Sequence, residues 1–146
     1  MTENADNPDD QYRRGDSQPP LAVSNWGWRY HHLGIPTTEP RADEAFIEEH
    51  GFYVSGFDRS PYGIEWMRFD PDSPISVLIQ TVPHLAFEVD DLEEAVAGKE
   101  LLLAPTELYP GARVAMIVSD GAPVELLQFY HSTLGTTSPP GEGKAG

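Results

Sequence analysis

At 146 residues, with 39% hydrophobic and 10% aromatic content, the chain suits one domain or two small repeats sharing a packed core. Its 24 acidic against 9 basic side chains give a formal net charge of −15, which repels phosphate backbones and anionic lipid heads and argues against nucleic acid or membrane surfaces as partners. The absence of cysteine excludes disulfides, thiolate metal sites and cysteine nucleophiles; with no leader-like or membrane-length apolar run, the expected location is cytoplasmic.

Residues 1–25 are polar, acidic and proline-containing and read as a disordered tail, and residues 133–146 read as a flexible one. Between them, residues 26–132 have the size of one domain. Residues 28–36 (WRYHHLGIP) predict a strand closed by Pro36. Residues 41–50 favour helix, stopped by Gly51. Three strands are expected next, over 52–57, 64–69 and 75–80, punctuated by Ser60-Pro61 and by the Pro- and Asp-rich stretch 70–74. Residues 82–89 predict another strand, and 90–97 a short helix with Asp90 or Asp91 as N-cap. A weak strand at 101–103 and two more over 111–118 and 123–130 complete the series.

The order β-α-β-β-β thus occurs twice, over residues 26–81 and 82–132. A direct comparison of the halves supports a repeat. His-Leu-Gly-Ile from His32 matches His-Leu-Ala-Phe from His84 at an offset of 52. Pro74 matches Pro123 at an offset of 49, which sets Ser76 opposite Glu125. Each half therefore opens on a His-bearing strand and closes on one with a polar residue shortly after proline.

Divalent cations take imidazole nitrogens and carboxylate oxygens converging on one point, and strands are firm platforms for them. Two such units paired about a pseudo-twofold axis bring His32 and His84 together, with Glu125 completing a two-His, one-carboxylate set that leaves positions open for substrate. Glu125 also lies in an apolar strand, where an unpartnered carboxylate is costly. By alternation His31 faces opposite His32 and takes a structural role, while His50 and His131 read as surface residues.

The segments HHLGI (31–35), PHLAFEVDDLEEAV (83–96) and PVELLQF (123–129) together resemble the vicinal-oxygen-chelate superfamily of glyoxalase, bleomycin-resistance and extradiol-dioxygenase-like proteins. The resemblance spans about residues 28 to 130. It implies an α+β fold of two βαβββ modules paired into a half-open, curved mixed sheet. It also implies a divalent metal ion (Fe, Mn, Co, Ni or Zn) held by His32, His84 and Glu125. Where glyoxalase I-like members carry a fourth ligand, this chain is expected to present Ser76, a weak neutral donor.

The resemblance further implies an enzyme that binds a small oxygen-chelating substrate and stabilises an enolate or ene-diolate, as an epimerase, isomerase or glyoxalase-like lyase. Glu88 and Glu65 are the candidate bases, and Tyr53, Ser76, Met67 and Arg113 the candidate substrate contacts. Two other functions fit the same reading: a non-haem Fe(II) dioxygenase, and a resistance protein that sequesters a small molecule without turnover. The apolar face of a half-open sheet makes a homodimer the expected assembly.

Overall fold

The computed structural model describes residues 19–130. Most of the two expected tails, and His131, lie outside these residues. Residues 19–25, expected as tail, include the short helix α1 (Leu21–Ser24).

Eight strands form one curled mixed sheet: β1 (Arg29–Pro36), β2 (Ala45–Ile47), β3 (Phe52–Ser55), β4 (Ile64–Phe69), β5 (His84–Glu88), β6 (Glu100–Tyr109), β7 (Ala112–Ser119) and β8 (Ala122–Phe129). Their order across the sheet is β2-β3-β4-β1-β5-β8-β7-β6. The two halves mirror one another about the antiparallel β1–β5 seam, and each half pairs its first and last strands in parallel. This is the α+β half-barrel that the sequence leads one to expect, and its centre is where the two His-bearing strands meet.

Two elements differ from expectation, in a compensating way. Residues 41–50 do not form a helix. Ala45–Ile47 pairs with β3 instead, followed by a 3-10 turn at Glu48–His50 that ends on Gly51 at φ +68°. Tertiary contacts override the helical preference here. Phe46 packs on Tyr53 at 4.6 Å, Arg68 forks onto Glu44 at 2.8 and 2.7 Å, and Arg41 lies over the Trp66 ring.

The expected strand at 75–80 is helix α2 (Val77–Thr81). Ser76 is its N-cap, its Oγ accepting from the Leu78 N–H at 3.2 Å. Ile75 and Ile79, spaced four apart, enter the concave core beside Phe52, Met67 and Met116. The Ser76 cap and the burial of Ile79 thus prevail over the strand preference of these β-branched residues. Ser76→Ala is expected to lower stability by about 1 kcal/mol through the lost cap and to leave metal binding unchanged. Urea unfolding paired with a metal titration checks both; weakened metal binding would show that Ser76 acts at the centre after all.

In the second half, Asp91 caps α3 (Leu92–Val96), accepting from the Glu94 N–H at 3.1 Å. Leu92 and Ala95 bury against Phe87, Ala115, Ile117 and Leu126 and cover the convex face there. Fixed from behind, β5 and β8 can present His84 and Glu125 forward.

Candidate metal centre

His32 on β1, His84 on β5 and Glu125 on β8 are all buried, at 2%, 1% and 3% exposure. Their ligating atoms lie within 4.8 Å of one another. His84 Nε2 is 2.9 Å from Glu125 Oε1, and His32 Nε2 is 3.3 Å from the same oxygen. Three strands far apart in sequence thus bring two imidazoles onto one carboxylate.

Glu65 adds a fourth side chain. It sits on β4, 8% exposed, with Oε1 at 3.1 Å from His32 Nε2. The strand register explains its position. Gly34 pairs with Glu65 across β1–β4 as Ala86 pairs with Glu125 across β5–β8. Glu65, not Ser76, is therefore the pseudo-twofold mate of Glu125. The Pro74/Pro123 match aligned the wrong elements, because α2 follows the fourth strand of the first half and has no counterpart after β8 among the described residues.

Burial alone would push the Glu125 carboxyl up, but contact with His32 and His84 outweighs it and holds the group at about 2. Burial likewise pushes His32 down, and its contact with Glu125, aided by the charge of Glu65, leaves it raised. Glu65 is raised by burial, an effect that the neighbouring His32 offsets only partly. Two carboxylates of the same centre are thus driven apart in acidity.

These residues fit a divalent cation. Glu125 Oε2 and His32 Nε2 are buried without a hydrogen-bond partner, the His32 contacts being close in distance but misaligned for hydrogen bonds. A nitrogen-and-carboxylate set of this kind is what first-row divalent ions take.

His31 departs from simple alternation. A bulge in the β1–β5 register between Tyr30 and His32 inserts it as an extra residue. Its ring consequently joins the cavity beside the centre, with Nδ1 at 2.8 Å from His32 Nδ1. An Nδ1–H of His32 donating to His31 would leave Nε2 able to bond a cation, an outer contact of the type that orients metal-binding imidazoles. Burial, then the charge of His32, lower the His31 pKa and favour the neutral acceptor form this requires.

The remaining sequence candidates scatter. Met67 shares the concave face and packs in the core with Phe52 and Ile79. Tyr53 lies under Arg68 and beside Phe46, on the opposite face. Arg113 forks onto Glu93 of α3 at 3.0 and 2.6 Å, also away from the centre. Glu88 is 3.5 Å from Arg29 Nη2 near the end of β5. His50 is only partly exposed, and its backbone oxygen accepts from Ser73 Oγ at 2.7 Å.

Three residues at the centre escaped the sequence reading. Phe57, Tyr109 and Phe129 line the cavity next to His32 and Glu65. Burial and the nearby carboxylates Glu125 and Glu65 push the Tyr109 phenol well above its usual range, so it stays neutral. Gly34 is a fourth omission: a Cβ there would lie 2.2 Å from the His84 ring. A lone glycine inside a strand is the one signal that could have flagged this close approach.

No protein-family model and no curated protein sequence matches the chain. Solved structures do. A hypothetical protein from Bacillus halodurans C-125 superposes with a TM-score of 0.56 at 18% identity, covering 80% of this chain and 99% of that one. A methylmalonyl-CoA epimerase from Mycobacterium tuberculosis gives a TM-score of 0.51 at 18% identity, over 70% of this chain and 88% of that one. The fold is glyoxalase-like. At that identity the likeness speaks to architecture, and the chemistry has to be argued from the side chains. The chain has a buried His–His–Glu cluster able to hold a metal ion. No helix among the described residues is long and apolar enough to cross a membrane.

Proposed function

We propose that the chain is a metal-dependent enzyme of the vicinal-oxygen-chelate type. It holds one divalent cation between His32, His84 and Glu125 and moves a proton on a small substrate that chelates through two oxygens. The reaction class is that of an epimerase, isomerase or glyoxalase-like lyase. The observation that carries this reading is the convergence of three buried ligating side chains within 4.8 Å, with a second carboxylate, Glu65, 3.1 Å from His32.

When bound, the cation supplies Lewis acidity, lowering the energy of negative charge that develops on a substrate oxygen. Glu125 stays ionised and anchors both imidazoles. Glu65 takes the proton from the carbon next to a carbonyl while the C–H electron pair shifts toward the carbonyl oxygen, and then returns it. Burial raises its pKa and so makes it a stronger base, which suits a group that must both accept and give back a proton. Glu88 suits the role less well: it lies four residues beyond His84, ~13 Å along the strand, and it is paired with Arg29. Fe, Mn, Co, Ni and Zn all suit these ligands. A homodimer is the proposed assembly, a second copy covering exposed apolar side chains of the half-open sheet.

In D2O, metal-loaded protein should exchange the proton next to the carbonyl in at least one member of a panel of small 2-hydroxy carbonyl compounds, followed by proton NMR. Glu65→Gln is expected to slow that exchange about 100-fold while retaining metal. Exchange at the wild-type rate in Glu65→Gln would contradict the assignment.

A second reading, an Fe(II) dioxygenase, is favoured by one observation: His31 and Tyr109 flank the centre and add a histidine and a phenol to the two-His, one-carboxylate set. Oxygen uptake with a catechol under Fe(II), but not under Zn(II), would select it over proton transfer.

A further inference from the structure

The segment Trp26-Gly27-Trp28 leads from α1 into β1 on the side of the sheet that α3 covers. The Trp28 N–H donates to Ala22 O at 2.9 Å, which folds α1 back against the start of β1. Gly27 turns the chain between the two indoles at φ +75°, a conformation that glycine adopts freely. Trp28 packs on Phe87 of the core beneath α3, with ring centroids 5.8 Å apart. Trp26 leans on Trp28 at 5.0 Å, 59° from parallel, and stays 51% exposed. Two indoles thus meet in an open corner.

Lys99 reaches into that corner. Its Nζ stands 5.1 Å from the Trp26 centroid and 5.8 Å from that of Trp28, inside the ~6 Å over which a ring face attracts a cation. It also donates to Ala95 O of α3 at 2.8 Å. Open space adjoins this ammonium on both sides. Two cavities of about 370 and 450 Å³ flank it, and the residues they share are Trp26, Trp28 and Lys99.

The charge around the corner is lopsided. Asp90, Asp91 and Glu94 line one cavity and Glu100 and Asp120 the other, while Lys99 is the only basic residue lining either among the described residues. Asp90 pairs with Arg29, and Asp91 caps α3. Glu94, Glu100 and Asp120 have no ion-pair partner among the described residues. Anions are repelled by such a rim, and a neutral apolar ligand gains nothing from the ring faces beyond contact.

We infer that this corner binds a small alkylammonium ion, and that Lys99 fills its seat when no such ion is present. The ammonium already resting on both indoles marks where the cation sits, the adjoining cavities give its alkyl groups room, and the unpaired carboxylates supply the balancing charge. Lys99 has a flexible four-carbon stem, so its head can swing out toward solvent as the ligand enters. A tethered competitor of this kind weakens the native site, and its removal has to strengthen it. Neither cavity is lined by His32, His84, Glu65 or Glu125, so the site is independent of the metal centre.

The indole N–H resonances of the isotope-labelled full-length protein follow its three tryptophans separately, and Trp66, lying under Arg41, is the internal control. Choline is titrated in parallel with neohexyl alcohol, its uncharged carbon isostere. The expected result is saturable movement of the Trp26 and Trp28 resonances with choline, with a Kd on the order of millimolar, and no saturable movement with the alcohol. Trp66 should not respond. Lys99→Ala should tighten choline binding about tenfold. Trp26→Leu should abolish it in either background, and zinc loading should leave it unchanged.

An equal response to the alcohol would reduce the corner to an apolar patch and overturn the site. Choline binding that is unchanged or weaker in a folded Lys99→Ala protein would overturn it too, since Lys99 would then be part of the corner and not a stand-in. No saturable response in either protein, or one confined to Trp66, would do the same.

Discussion

Replacing Glu125 with alanine is expected to abolish tight binding of a divalent cation and to destabilise the cation-free protein. Glu125 is 3% exposed and, among the described residues, is the one carboxylate within 3.3 Å of both imidazoles. Without it His32 keeps Glu65 at 3.1 Å, but His84 Nε2 loses its hydrogen-bond partner at 2.9 Å. Breaking a buried charged contact from one side costs about 3–5 kcal/mol, because the partner stays desolvated and unpaired. Loss of a metal-bonding carboxylate should weaken cation affinity by more than the ~10–100-fold that outer contacts cost. Calorimetric titration and urea unfolding read the two effects. Glu125→Gln separates them, since it keeps the shape while removing the charge. Wild-type cation affinity in Glu125→Ala would contradict the assigned centre.

The second large effect is expected from a methyl group. In Gly34→Ala the added Cβ would lie 2.2 Å from His84 Cε1 and 2.4 Å from Nε2, so the ring must move. Gly34 faces His84 across β1–β5, and Ala86 faces His32 across the same seam. The second position accommodates a methyl and the first does not. Overpacking of this kind costs about 1–3 kcal/mol, and displacing His84 should lower cation affinity roughly 10–100-fold. Unfolding and a cobalt(II) titration, followed by its visible absorption, check both. Unchanged cobalt affinity in a folded Gly34→Ala protein would show that His84 is not held as a ligand.

Much of this architecture was legible in the chain because alternation and turn residues agree where strands are buried on one face. β4 falls on the expected residues 64–69, and β5 with α3 follows from His84 and the Asp91 cap. The two exchanged segments were not legible because tertiary contacts decide them. Residues 45–47 become a strand through Phe46 on Tyr53, and 77–81 a helix through Ile75 and Ile79 in the core.

The same misreading hid Glu65 as the structural counterpart of Glu125, although Glu65 was among the candidate bases. Its equivalence to Glu125 is a property of parallel register, at a sequence offset that differs from that of the histidines because the connections differ in length. The inward turn of His31 depends on a bulge, which leaves no mark on a strand pattern. His32 and His84 could be singled out by their matching places in the two halves, and Glu125 as a carboxylate inside the apolar run 124–127.

Elemental analysis of the purified full-length protein, after expression in metal-supplemented medium and removal of loosely bound ions, tests the centre most directly. The expected result is one first-row divalent cation per wild-type chain, and close to none in folded His32→Ala, His84→Ala and Glu125→Ala proteins. A folded wild-type chain that retains no cation, or variants that keep the full complement, would contradict a metal site built from these three side chains.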